Sequence, residues 1–97
     1  MKDDLFELHA KLCLTLAEPK RLKILYTLGS AEKSVSEIIK KTGLRQANLS
    51  QHLAVLRKKG VVSTRRKGKL IYYKIAFPKM VKACNLIREV LTQQRKK

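Results

Sequence analysis

Gln46, Ala47, Ser50 and Gln51 recur at helical spacing within the stretch RQANLSQHLAVLRKKG, and their side chains are of the kinds that meet a DNA base edge. A glutamine amide can donate to and accept from adenine in the major groove. A serine hydroxyl pairs with several bases, and alanine lets a helix backbone come close. In the same projection Leu49, Leu53 and Leu56 share the opposite side, so one face belongs to a core and the other to a partner. Ala54 and Lys58 extend the polar face and give it a basic edge.

The other chemically capable residues are few. His9 and Cys13 stand one helical turn apart, a spacing that suits half of a metal site and equally the border of a packed stripe. Cys84 lies far along the chain in another apolar run. Two distant cysteines make neither a disulfide framework nor a zinc ribbon. No GxGxxG, Walker loop, HExxH or GxSxG motif occurs, and the central region has no paired carboxylates. The chain therefore reads as a non-enzyme that announces no cofactor and no metal site.

Charge narrows the partner. The 97 residues carry 23 Lys and Arg against 7 Asp and Glu, a net charge of +16. No acid occurs between Glu37 and Glu89, a span with fourteen basic residues. An ordinary solvated surface mixes signs, so a field of one sign around a polar helix face points to a polyanion. Double-stranded DNA fits better than a membrane surface, because the basic residues spread over turns and strands instead of lining one amphipathic helix. No apolar run approaches the roughly 20 residues of a membrane span, and MKDDLFEL lacks the order of a secretory signal. A cytoplasmic protein with no membrane contact is expected.

The elements that position these residues can be read in order. One small domain over 1–97 is expected, mainly α with a β-hairpin wing. Leu5, Leu8, Leu12 and Leu16 predict a first amphipathic helix from Asp3 to about Leu16. Pro19 opens a second that runs to Gly29, and Gly29 to Lys33 reads as a loop. Arg21, with Lys20 and Lys23, has the choice of phosphate contact or a solvated face. Ser34 and Glu37 match a capping box, so a third helix starts at Val35 and ends at Thr42-Gly43. After a short turn, Gln46 to Lys59 form the fourth helix, closed by Gly60. Residues 34–59 thus make a helix-turn-helix. Residues 61–75 make the wing, with strands Val61–Arg66 and Lys69–Ile75 around a Lys67-Gly68 turn, and alternation turns Ile71, Tyr73 and Ile75 to the core. Met80, Ala83, Cys84, Ile87, Val90 and Leu91 stripe a fifth helix over 78–95. That helix and residues 1–17 are the expected dimerisation elements, because a terminal helix this apolar needs a partner.

LAEPKRLKILYTL, SVSEIIKKTGLRQANLSQHLAVLRKKGVV and RRKGKLIYYKI, taken in order, resemble the ArsR/SmtB winged-helix repressors over most of the chain. The combination of Pro-x-Arg-x-x-Ile-Leu, Ser-Gln-His-Leu-x-x-Leu and a Tyr-Tyr wing is more specific than any one piece. The resemblance implies a cytoplasmic homodimer that represses transcription at a palindromic operator and leaves it on binding an inducer, thiol-reactive or metal. It puts the base-reading positions on Gln46, Ala47, Ser50 and Gln51 and the wing at Arg65, Arg66, Lys67 and Lys69.

Three departures from the family pattern follow. Ser34-Val35-Ser36 stands where soft-metal sensors carry Cys-Val-Cys, and the last helix lacks the histidines of zinc and nickel sensors. Arg45 replaces a common capping Ser or Thr, which weakens the cap and supplies a further phosphate contact. The sensing question falls on Cys13 and Cys84, for which burial at a helix interface is the first expectation, thiol sensing the next and metal binding the third. A nonspecific architectural or RNA-binding winged helix is the competing reading, since the net charge alone would serve it.

Overall fold

A computed structural model describes residues 3–96. Five helices and a three-stranded sheet follow in the order α1 (Asp3–Leu16), α2 (Pro19–Leu28), β1 (Lys33–Ser34), α3 (Val35–Thr42), α4 (Gln46–Lys58), β2 (Val62–Lys67), β3 (Leu70–Ile75) and α5 (Pro78–Arg95). The core is built where the apolar sides of the middle helices converge. Ile24, Leu25 and Leu28 of α2 meet Ile38 of α3, then Leu49, Leu53 and Leu56 of α4, with Val61, Val62 and Ile75 closing it from the sheet. The helix-turn-helix and β-hairpin expected from the residues, and the mainly α winged fold that the resemblance implies, are the architecture observed.

Local chemistry sets the element ends. Ser34 Oγ accepts from the Glu37 backbone N–H at 3.3 Å, and Glu37 Oε1 accepts from the Ser34 N–H at 3.0 Å, completing the capping box of α3. At the far end of α3, Thr42 Oγ1 donates to the Ile38 carbonyl at 2.8 Å and accepts from the Leu44 N–H at 3.2 Å. This hydroxyl holds the turn between the two helices. Helix α4 stops at Lys58, one residue before the expected Lys59, because Lys59 is the cap residue. Gly60 follows at φ +75°, its N–H donating to the Arg57 carbonyl at 3.0 Å, while the Val61 N–H donates to the Leu56 carbonyl at 2.9 Å. That pair of bonds is a Schellman closure, and the buried Leu56 and Val61 supply its apolar contact.

The sheet departs from expectation in three ways. It has a third strand, Lys33–Ser34, which pairs antiparallel with Tyr72–Tyr73 and puts β3 in the middle. Two residues are too short for a periodicity signal, and Ser34 is shared between this strand and the cap of α3. The hairpin turn is Gly68-Lys69, one residue later than expected, since Lys67 pairs with Leu70. Gly68 at φ +62° takes the first loop position, where a II′ turn calls for glycine. Ile71 is 41% exposed and does not face the core. It pairs with Arg66 near the wing tip, where the hairpin has left the body of the domain, while Ile75 at the base is buried.

Helices α1 and α5 flank this body with most of their apolar surface uncovered. Only Leu12 and Leu16 of α1, and Met80 and Val81 of α5, pack against the core. Leu14 is 72% exposed and Ile87 61% exposed.

Candidate nucleic-acid interface

The polar face of α4 is open. Gln46, Ala47, Ser50, Gln51 and Ala54 are all exposed, while Leu49, Leu53 and Leu56 behind them are fully buried. The helix is thus pinned to the core by one stripe and presents the other outward. Its first turn starts at Arg45, whose carbonyl accepts from the Leu49 N–H at 2.9 Å but whose side chain makes no cap bond. The N-terminal N–H groups of α4 are left without that satisfaction, at the positive end of the helix dipole.

A second basic surface, the wing, stands beside this face. Arg65, Arg66, Lys67 and Lys69 are exposed. Arg66 Nε donates to the Gly68 carbonyl at 3.3 Å, which orients the guanidinium and leaves its four other N–H groups for further partners. Arg65 has a different setting. Its Nε and Nη2 donate to Glu32 Oε2 and Oε1 at 3.0 and 2.7 Å, and its guanidinium carbon lies 5.9 Å from the centre of the Tyr72 ring. The Arg65 hydrogen bonds, with its charge and those of Lys74 and Lys67 adding, hold the Glu32 carboxyl below its ordinary value. Glu32 in turn raises Arg65. Sequence reading had no signal for Glu32, because its partner lies 33 residues away across a strand that periodicity does not reveal.

Arg21 is half-buried and does not stand as a plain solvated side chain. Its side chain turns inward, Nη1 donating to the Thr15 carbonyl at 3.0 Å and Nε to His52 Nδ1 at 3.3 Å. Glu18 completes the group, accepting from the Arg21 N–H at 2.9 Å with the same oxygen that stands 3.8 Å from His52 Nε2. The end of α1, the start of α2 and α4 are thus joined by one guanidinium.

Cys13 is exposed and Cys84 half-buried, so neither is a core cysteine of the single chain, because α1 and α5 lie mostly off the body. Both line one apolar groove of about 630 Å³ between α1, α2 and α5, together with Leu16, Leu22, Tyr26 and Arg88. The Arg88 guanidinium stacks 4.0 Å from the Tyr26 ring centre and ties α5 to α2. His9 is exposed, and among the described residues no three His, Cys, Asp or Glu are grouped as a metal ion would need. Among the same residues no helix is long and apolar enough to cross a membrane.

Comparisons with known proteins agree with this geometry. The profile of the bacterial regulatory protein, arsR family, matches residues 18–64, from the cap of α2 into β2. The HTH-type transcriptional regulator Rv0081 of Mycobacterium tuberculosis is 40% identical over 92 residues, covering 94% of this chain and 81% of that protein. Its crystal structure superposes with a TM-score of 0.85 at 38% identity, over 98% of this chain and 96% of that one. The biofilm growth-associated repressor of Xylella fastidiosa is 39% identical over 87 residues, covering 90% of this chain and 76% of that protein. The solution structure of the homodimeric winged helix-turn-helix DNA-binding domain of Mb0332 from Mycobacterium bovis gives a TM-score of 0.86 at 29% identity, over 99% of this chain and 92% of that one. Fold, the open polar face of α4, the basic wing and the relatives converge, and the chain belongs to the ArsR family of winged-helix transcriptional regulators.

Proposed function

We propose that the chain is a sequence-specific transcriptional repressor that binds a palindromic operator as a cytoplasmic homodimer. The observation that carries this reading is the exposed face of α4, where Gln46, Ala47, Ser50 and Gln51 stand together above a buried leucine stripe. Side chains of this size and polarity suit base edges in a major groove. Arg45 at the helix start and Arg66, Lys67 and Lys69 on the wing supply phosphate contacts, which position the helix without reading sequence. The bare apolar faces of α1 and α5 meet the same faces of a second copy, setting two reading helices about 34 to 36 Å apart for successive half-sites. A relative named as a biofilm growth-associated repressor and a homodimeric structural neighbour support the same picture. Footprinting on the DNA upstream of the chain's own coding sequence tests it. A protected palindrome is expected, and uniform coating of any duplex or RNA would favour a nonspecific architectural role instead.

Release by a thiol-reactive inducer is the second reading, favoured by the placement of Cys13 and Cys84 on one groove beside the dimerisation helices. A bridge or adduct there would shift α1 against α5 and alter the spacing of the two reading helices. Mild oxidant or persulfide is then expected to lower operator affinity in the unsubstituted chain and not in Cys84→Ser. Equal affinity before and after full oxidation would leave both thiols as interface packing.

A further inference from the structure

Among the described residues, Arg65 is the one wing arginine or lysine in an ion pair with a carboxylate. We propose that Glu32 and Arg65 form a clamp that fixes the angle of the wing against the helix-turn-helix. Both are then positioning residues for DNA binding, and Arg65 is withdrawn from the phosphate contacts. The proposal rests on the wing being a DNA-binding element.

The geometry runs across the whole sheet. Arg65 on β2 pairs with Tyr72 on β3, and Tyr72 pairs on its other side with Ser34 of β1. The Arg65 side chain passes the Tyr72 ring to reach Glu32, just before β1, with two parallel N–H···O bonds. One side chain therefore straps the outer strand to the opposite edge. That edge needs support, because β1 is two residues long and holds β3 by few backbone bonds. It also leads directly into α3, whose cap is Ser34. The strap thus joins the wing to the first helix of the reading pair.

Charge supports the same assignment. No acid lies between Glu37 and Glu89, so a counter-charge for the wing has to come from another part of the chain, and the fold brings Glu32. An exposed ion pair adds little to stability, yet the fork of an arginine on a carboxylate fixes direction as a lysine would not. A carboxylate beside a polyanion site would otherwise only repel DNA. Its use lies in holding the hairpin that carries Arg66, Lys67 and Lys69.

Titrations of the footprinted duplex and a random duplex over a salt series test the clamp. Glu32→Gln adds one net positive charge, which by itself strengthens attraction to DNA. The clamp predicts the reverse, a loss of about five- to tenfold on the footprinted duplex. Arg65→Ala should show a similar loss with an unchanged salt slope, and the exchange of Glu32→Arg with Arg65→Glu should return affinity to within about twofold of the original. Tighter binding by Glu32→Gln, a slope reduced by about one in Arg65→Ala, or an exchanged pair weaker than either single variant would overturn it. The reading beneath it fails differently. An unsubstituted chain with no preference for the footprinted duplex would remove base recognition, while the clamp would still be read from the losses of Glu32→Gln and Arg65→Ala on the random duplex.

Discussion

Replacing Gln51 by alanine separates base reading from charge attraction, because the amide is exposed on α4 and carries no charge. In the proposed complex it makes a two-bond contact with a base, so Gln51→Ala should weaken the operator by about 1 to 3 kcal/mol and leave random DNA nearly unaffected. Competitive titration with the two duplexes checks this, and equal losses would move Gln51 off the base-reading face. Arg66→Ala should do the opposite, weakening every duplex alike and flattening the salt dependence by about one unit of slope. The polar face of α4 is legible in the sequence because it needs only one helix and one periodicity. The partners of Arg65 and Arg21 are not. Each pair spans more than thirty residues, Arg65 with Glu32 and Arg21 with His52, and depends on how elements meet. An arginine's charge says nothing about which way its side chain turns.

The capping box of α3 makes an element-scale prediction about acid. The Ser34 hydrogen bonds, backbone first and hydroxyl second, hold the Glu37 carboxyl below its ordinary value against a small opposing effect of burial. A depressed value in the folded state means that the ionised form favours folding. This contribution is complete above the usual glutamate range of about 4.3 and is lost as pH falls through the lower folded-state value. Thermal melting of Glu37→Gln should therefore vary less as pH falls below the usual glutamate range than melting of the unsubstituted chain. A parallel pair of curves would detach Glu37 from the cap. Ser34→Ala removes the other half and should cost about 1 kcal/mol, read from a denaturant midpoint with unchanged slope. These helix ends are legible because caps are local in sequence. The hairpin register is less so, since Lys67-Gly68 and Gly68-Lys69 both put glycine in a two-residue loop. The choice falls to the backbone twist, which in a II′ turn wants glycine first.

At the scale of the whole molecule, the proposed dimer rests on the uncovered faces of α1 and α5. Ile87→Glu places a charge in the middle of the α5 stripe, where an exposed isoleucine awaits a partner. Sedimentation should show a monomer with a native circular dichroism spectrum, and operator affinity should fall much further than affinity for a half-site. A dimer that survives the charge would place the interface elsewhere. The wing, meanwhile, is fastened along both margins. Its β2 margin continues from the Schellman closure of α4 through Val61, and its β1 margin continues into α3 through Ser34. In the proposed complex the hairpin and α4 therefore meet DNA as one gauge, with jaws at a fixed opening. DNA whose neighbouring grooves are too widely or too narrowly spaced must itself deform to enter that gauge. The elastic cost of doing so becomes a source of sequence preference at base pairs that no side chain touches.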